Sequence, residues 1–358
     1  MNNNPSWPNT KINELLKISL PIIQAPMAGG ATTPELVAAV SNAGGLGSLG
    51  AGYMTANEIR LAVKKIRTLT NKPFSVNLFI PENHSATDEQ IEQARKIVQT
   101  SCPELNFNVD SVKPPYAPRF EEQMNVIVEE KIPVCSFTFG IPSREWIEVC
   151  KKNKITSIGT ATTLAEAKLL EENNIDAVVA QGCEAGGHRG TFIGSAENAL
   201  INIRSFIPLL AEHIKIPIIA AGGIMDAKGI LTSVTSGAAA VQMGTAFLCC
   251  TESGIHPLYK KFLLSSTQDN TTLTRAFSGK LARGINNKFI TRMQAHEKEI
   301  LDYPIQNKLT SGMRKEAGKQ NNIDFMSMWA GQSAHLCREI SAEELIEELN
   351  NACRLGSE

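Results

Sequence analysis

The sequence predicts an α/β protein built on a (β/α)8 barrel, with a mostly helical addition. Two observations point there. Short apolar runs alternate with segments of helical periodicity from Pro21 to Gly244, and counting the runs gives eight. Polar amides and glycines gather just after the ends of those runs, whereas several runs start on proline and aliphatic residues (Pro21, Pro73, Pro133, Pro217). In barrels of this kind the chemistry sits at the C-terminal ends of the strands. An open doubly wound sheet also alternates strand and helix, but it rarely reaches this length without an antiparallel or topological break.

The first strand is Pro21-Ile22-Ile23-Gln24-Ala25-Pro26-Met27. Gly29-Gly30 turns the chain, and Thr33-Pro34 opens a helix, Thr as cap and Pro at the first helical position. That helix ends at Gly44-Gly45; a second strand over Leu46–Leu49 leads through Gly50 and Gly52 to a helix over Thr55–Leu69. Phe74–Ile80 is the third strand. The excursion that follows, Pro81 to Pro118, is too long for a plain connection. Its middle, Thr87–Thr100, is an amphipathic helix, and its end, Lys113–Pro118, a stiff proline-rich loop.

A helix over Arg119–Glu130 leads to strand four, Val134–Phe139. Helices over Ser143–Lys152 and Leu164–Asn173 flank strand five, Thr156–Gly159. Strand six, Ala177–Ala180, runs into Gln181. A helix over Ala199–His213, interrupted near Pro208, precedes strand seven, Pro217–Ala221. A helix over Ala227–Ser236 precedes strand eight, Ala240–Gly244. Beyond Phe247 the pattern changes: Cys249 to Gln332 has helical stretches and no clear strand repeat.

Composition narrows the function. With 35 Lys+Arg against 36 Asp+Glu the net charge is −1, too weak a field to draw in nucleic acid or an anionic membrane. Eight cysteines are scattered without a CxxC pair, so reduced thiols are expected rather than disulfides or a metal site. The start, Met1-Asn2-Asn3-Asn4-Pro5, lacks the basic and apolar parts of a signal peptide, and no apolar run approaches ~20 residues. A cytoplasmic enzyme acting on a small molecule is expected.

The densest chemistry is Gln181-Gly182-Cys183-Glu184-Ala185-Gly186-Gly187-His188-Arg189-Gly190. Its paired glycines permit positive φ and close approach to something flat or anionic, and His188 at the loop rim can give or take a proton. A lone histidine is as often structural; the end-of-strand position favours chemistry. Gly222-Gly223 and Gln242-Met243-Gly244-Thr245 follow strands seven and eight, where barrels bind phosphate. Asn77 and Gln181 offer donor and acceptor to the edge of a flavin or purine ring. Any one glycine pair could simply make a tight turn, but glycines after four strands together suit a ligand. No GxGxxG follows strand one, so the mononucleotide FMN fits better than a dinucleotide.

Together, Gln24-Ala25-Pro26-Met27-Ala28-Gly29-Gly30, Gln181 to Gly190, Ala220-Ala221-Gly222-Gly223-Ile224 and Gln242–Thr245 resemble the nitronate monooxygenase (formerly 2-nitropropane dioxygenase) family. The resemblance continues in Arg275–Gly284, Tyr303–Lys308 and Trp329–Gln332, which look like its class I branch. It implies FMN contacts from Asn77, Gln181, Gly186, Gly223, Gln242, Met243, Gly244 and Thr245, backbone near Ala25 and Met27 under the isoalloxazine, and His188 as the catalytic residue. It also implies a barrel over 1–247 (with the excursion at 81–118), a lid or substrate domain over 248–332, and a closing helix, Ala342–Cys353, within 333–358.

Only four tyrosines occur, and Tyr116, Tyr259 and Tyr303 fall in the excursion or the lid, where the resemblance puts the substrate pocket. Tyr303 with Lys308 is the preferred anion-binding pair; packing or exposed roles for Tyr116 and Tyr259 stay open. Most other lid charges read as a solvated face.

The activity implied is FMN-dependent oxidation of an alkyl nitronate, such as propionate 3-nitronate, by dioxygen to a carbonyl compound with release of nitrite. His188 would stabilise the anion, or take the α-proton of a neutral nitroalkane. A flavin reductase using NAD(P)H, for quinones or enoyl-ACP, shares the scaffold; an idle nucleotide-binding barrel is the third alternative. A homodimer is left open.

Overall fold

The computed structural model describes residues 7–267 and 270–357. The Met1–Pro5 segment lies outside the described residues.

Aliphatic runs led by proline become the strands of one closed parallel sheet: β1 (Ile22–Gln24), β2 (Gly47–Gly50), β3 (Phe74–Phe79), β4 (Val134–Thr138), β5 (Thr156–Ala161), β6 (Ala177–Gln181), β7 (Ile218–Ala221) and β8 (Ala240–Met243). Each strand pairs with the next in sequence, and β8 returns to pair with β1, Gln24 opposite Met243. Gln24 N donates to Leu46 O at 3.0 Å and Leu46 N to Ile22 O at 2.9 Å, which closes the ring between β1 and β2. This is the expected (β/α)8 barrel.

Side chains that alternate inward, among them Ile23, Val134, Ile158, Val179 and Ile219, fill the barrel. A short helix that the sequence pattern did not reveal, α1 (Lys11–Leu16), plugs its strand-start end with Ile12 and Leu16. Thr10 caps α1 and its hydroxyl donates to Ala239 O at 2.6 Å, tying the plug to the start of β8. That end is sealed, so a ligand enters from the other.

The outer helices start where their capping residues dictate. Thr33 accepts from Leu36 N with Pro34 at the first position of α2 (Pro34–Asn42). Thr55 forms a capping box with Glu58 at the start of α3 (Ala56–Leu69). The excursion carries α4 (Asp88–Ser101), and α5 (Phe120–Glu129), α6 (Arg144–Lys152) and α7 (Leu164–Glu172) follow as expected to within a residue or two.

The helix expected over Ala199–His213 is corrected. A 3-10 turn covers Ala196–Ala199, and α8 runs Ile203–His213 with Asn202 as its cap and no break at Pro208. Pro208 and Arg204 both face solvent, so water can serve the Arg204 carbonyl that has lost its partner, while buried Phe206, Ile207 and Leu210 hold the helix down. Helices α9 (Ala227–Thr235) and α10 (Thr245–Leu248) flank β8.

Residues 249–332 contain α11 (Pro257–Ser265), α12 (Lys288–Met293) and α13 (Ile305–Lys319). They also contain strand structure that the sequence did not reveal: Thr271–Thr274 pairs antiparallel with Ala282–Ile285, which pairs in turn with Gly187–His188. Helix α4 packs on α13 through Ile91, Ala94, Ile305 and Leu309, so the excursion and this region share a core. Finally α14 (Ala342–Ser357) packs between α2 and α9 through Leu345, Ile346 and Leu349, completing the outer ring. Among the described residues no helix is long and apolar enough to cross a membrane.

Candidate active site

A cavity of about 980 Å³ opens at the C-terminal ends of the strands, between the barrel and residues 249–333. Ala25, Met27, Asn77, Gln181, Gly186, His188, Gly223 and Gln242–Thr245 line it from the barrel side. Tyr116 lines it from the excursion, and Tyr259, Tyr303 and Lys308 from the region after the barrel. The structure therefore brings the candidate catalytic, cofactor and substrate residues of the sequence to one cavity, without itself assigning them roles.

His188 sits where β6's loop becomes the edge of the small antiparallel sheet, its residue paired with Ala282. The imidazole Nε2 is 2.8 Å from Ser278 Oγ. Ser278 in turn directs its hydroxyl to Lys280 O at 3.1 Å and accepts from Lys280 N at 3.3 Å. Since the serine has one hydrogen and it goes to the carbonyl, this network assigns the proton to Nε2 of the histidine and leaves Nδ1 as an open base. Phe79, Phe139, Tyr303 and Trp329 surround the ring, Trp329 at 5.4 Å between centroids. Burial in this aromatic cage, then the charges of Lys280 and Arg314, lower the His188 pKa from 6.5 to about 3. The ring is neutral at physiological pH. Lys280 itself pairs with Glu82 of the excursion at 2.6 Å and lies 4.5 Å over the Phe139 ring.

The loop bearing His188 is held by two side chains. Gln181 Nε2 donates to His188 O at 2.9 Å, and its Oε1 accepts from Gly190 N at 2.8 Å. Arg189 is fully buried and donates to Gly182 O at 2.6 Å and Gln181 O at 3.0 Å. Both therefore work first as braces. Asn77 is different: Nδ2 donates to Ser136 Oγ at 2.9 Å and Thr138 Oγ1 at 3.2 Å, so Oδ1 is the atom left for a ligand.

Backbone shape does the rest. Gly222 and Gly223 take φ of 128° and 69°, a left-handed path closed to most side chains, which leaves the β7 loop flush with the cavity wall. At Gly186 a Cβ would come within 2.5 Å of the backbone of Ala330 and Gly331. The 330–332 strap thus lies directly on the β6 loop, fixed by Gln332 N to Glu184 O at 3.1 Å and Gly331 N to Thr245 Oγ1 at 3.0 Å.

On the opposite wall, Tyr303 is buried beside His188 and burial pushes its phenol well above the ordinary range, so it stays a donor. Tyr259 lines the cavity, but its hydroxyl donates to Trp329 O. Tyr116 is half-buried against His84, and Lys308 is exposed at the cavity edge.

The family model for nitronate monooxygenase matches residues 9–352. This chain belongs to the nitronate monooxygenase family. It is 46% identical over 345 residues to a protein of Staphylococcus haemolyticus (strain JCSC1435) named "probable nitronate monooxygenase", covering 96% of each chain. Among solved structures it resembles the nitroalkane oxidase of Streptomyces ansochromogenes, with a TM-score of 0.86, 37% identity and coverage of 97% of this chain and 98% of that one. It also resembles FabK of Thermotoga maritima, with a TM-score of 0.76, 30% identity and 97% of each chain covered. As a member of this family the chain is an oxidoreductase.

Among the residues in or beside this cavity that the sequence reading did not assign to the site, Ser278, Trp329, Tyr53 and Arg314 matter most. Ser278 and Trp329 reach His188 only through the fold. Tyr53, at the end of β2's loop, lines the cavity and stacks edge-on against Phe79 at 5.4 Å; burial pushes its phenol up to about 12. Arg314 of α13 lines it too, and the helical spacing from Asn307 was the signal that could have found it.

Proposed function

We propose that the chain uses FMN and dioxygen to oxidise alkyl nitronates of the propionate 3-nitronate type to a carbonyl compound with release of nitrite. The observation that carries the reading is the cavity's chemistry: a neutral, aromatic-caged His188 beside Tyr303, with no aspartate or glutamate among the lining residues. Such a wall suits an anionic substrate.

The residues present fit a flavin mononucleotide. The cavity volume is within the range of a cofactor site with room for a small substrate. Asn77 Oδ1 and the remaining Gln181 hydrogen would meet the polar edge of a flavin ring, and the backbone near Ala25 and Met27 would contact it as well. Gly186, Gly223 and Gln242–Thr245 would bring backbone and side-chain donors to the ribityl chain and phosphate. When bound, the flavin supplies the redox chemistry that no side chain here can.

The protein's own contribution is binding, charge and one proton. Tyr303 donates to the substrate's anionic end, with Lys308 adding charge at the cavity edge. Burial keeps the free His188 ring neutral and makes it a weak base by itself; with Nε2–H held by Ser278, Nδ1 takes the α-proton of a neutral nitroalkane only because the nitronate anion formed beside it offsets the imidazolium charge. The cage of Phe79, Phe139 and Trp329 keeps water from the reacting carbon. A detoxifying role in the cytoplasm is consistent with toxic nitronate substrates and with cysteines that are all free thiols. Replacing His188 with Asn tests the assignment: flavin content should persist while turnover falls about 10²–10⁴-fold. Near-normal turnover would remove His188 from the mechanism.

A further inference from the structure

One face of α13 forms a cavity wall: Asn307, Lys308, Ser311, Arg314, Lys315 and Gly318 all line it, at the spacing of a single helical stripe. Three of the six are cations and none is acidic. Lys308 and Lys315 are exposed, hydrated and free to swing. Arg314 is not. Its Nη2 donates to Asn307 O at 2.9 Å and to Asn307 Oδ1 at 2.8 Å, and its Nε lies 3.4 Å from Thr310 O. These contacts hold the guanidinium plane in one orientation from one side.

The other side has no protein partner. Among the described residues no carboxylate pairs with Arg314 and no acceptor meets Nη1. Desolvation pulls its pKa down, the cost of keeping a cation off water, and its charge is felt by both Tyr53 and His188. Tyr53 lines the same cavity with its phenol held protonated, and among the described residues it has no hydrogen-bond partner. A fixed, half-buried guanidinium with an open edge, beside an unpaired phenol, is a carboxylate-sized receptor.

We infer that Arg314, assisted by Tyr53, binds a carboxylate carried by the substrate a few atoms from its nitronate carbon, and so selects carboxylated nitronates over simple alkyl ones. The inference rests on the function proposed above, with the nitronate end at His188 and Tyr303. The two anions of the substrate then meet separate donors, which a simple alkyl nitronate could satisfy only in part.

The test compares wild type, Arg314→Gln and Arg314→Lys with propionate 3-nitronate and with ethyl nitronate, which has no second anion. Arg314→Gln should raise KM for the carboxylated substrate at least tenfold and change ethyl nitronate less than threefold, with Arg314→Lys in between. Equal losses on both substrates, or no loss on either, would overturn the assignment. A second readout needs no turnover: 3-nitropropionate should raise the melting temperature of the flavin-loaded wild type but not of Arg314→Gln, while 1-nitropropane affects neither. Should the wild type oxidise neither nitronate, the proposed activity fails, and the melting shift still decides whether Arg314 holds a carboxylate.

Discussion

His188 Nε2 lies 2.8 Å from Ser278 Oγ, a contact spanning 90 residues of sequence and joining the β6 loop to the turn before the Ala282–Ile285 strand. Through it the barrel and the region that covers its mouth share one imidazole. His188 and Ala282 are also paired in the small sheet, so backbone and side chain fix the ring together.

Ser278→Ala removes that side-chain contact and leaves the sheet. Flavin content and melting temperature should stay near wild type, while kcat falls roughly tenfold because the imidazole loses its tautomer and orientation, a part of the full acid–base contribution. The loss should be greater with neutral nitroalkane, which needs a base, than with preformed nitronate. A uniform loss with both would indicate a structural effect instead.

The depressed His188 pKa makes an acid-stability prediction. Its folded-state value is about 3 against an ordinary 6.5. Between those values the unfolded chain holds a proton at this residue that the folded chain does not, so stability is full above pH 6.5 and falls as pH drops through the window. Urea unfolding from pH 7 to pH 4 should therefore weaken wild type more than His188→Gln, which cannot titrate. Parallel curves would contradict the neutral, caged imidazole.

Gly186 offers a steric test. A methyl there would meet the Ala330 and Gly331 backbone at 2.5 Å, where no flexible side chain can yield. Gly186→Ala should displace the 330–332 strap, lowering stability by about 1–3 kcal/mol and weakening flavin retention severalfold. Melting curves and flavin release by dialysis would show it, and a variant indistinguishable from wild type would mean the strap does not bear on the cofactor.

The parts legible in the sequence are those governed by local rules. Proline-led aliphatic runs such as Pro217–Ala221 read as buried parallel strands, and Thr33-Pro34 and Thr55 announced their helices through capping. Glycine pairs after the strands marked the cavity because positive φ at Gly222 and Gly223 is a backbone requirement visible as residue type.

What escaped depends on chain segments meeting. Gly187–His188 is a strand of two residues, too short for any periodicity, and it exists only because Ala282–Arg283 arrives beside it. Ser278 carries no sign of its partner. Arg314 stands on a readable helical stripe, but which stripe faces the barrel is decided by the packing of α13 on α4. Pro208 read as a helix break, and the apolar face of α8 overrode it.

The central claim is most directly tested by mixing the purified, flavin-loaded protein anaerobically with propionate 3-nitronate, and separately with NADH or NADPH, while recording flavin absorbance. The account predicts that the nitronate alone reduces the flavin, that the pyridine nucleotides leave it oxidised, and that admitting dioxygen then yields nitrite. Bleaching by NADH or NADPH with no response to the nitronate would contradict it and make the cavity a reductase site.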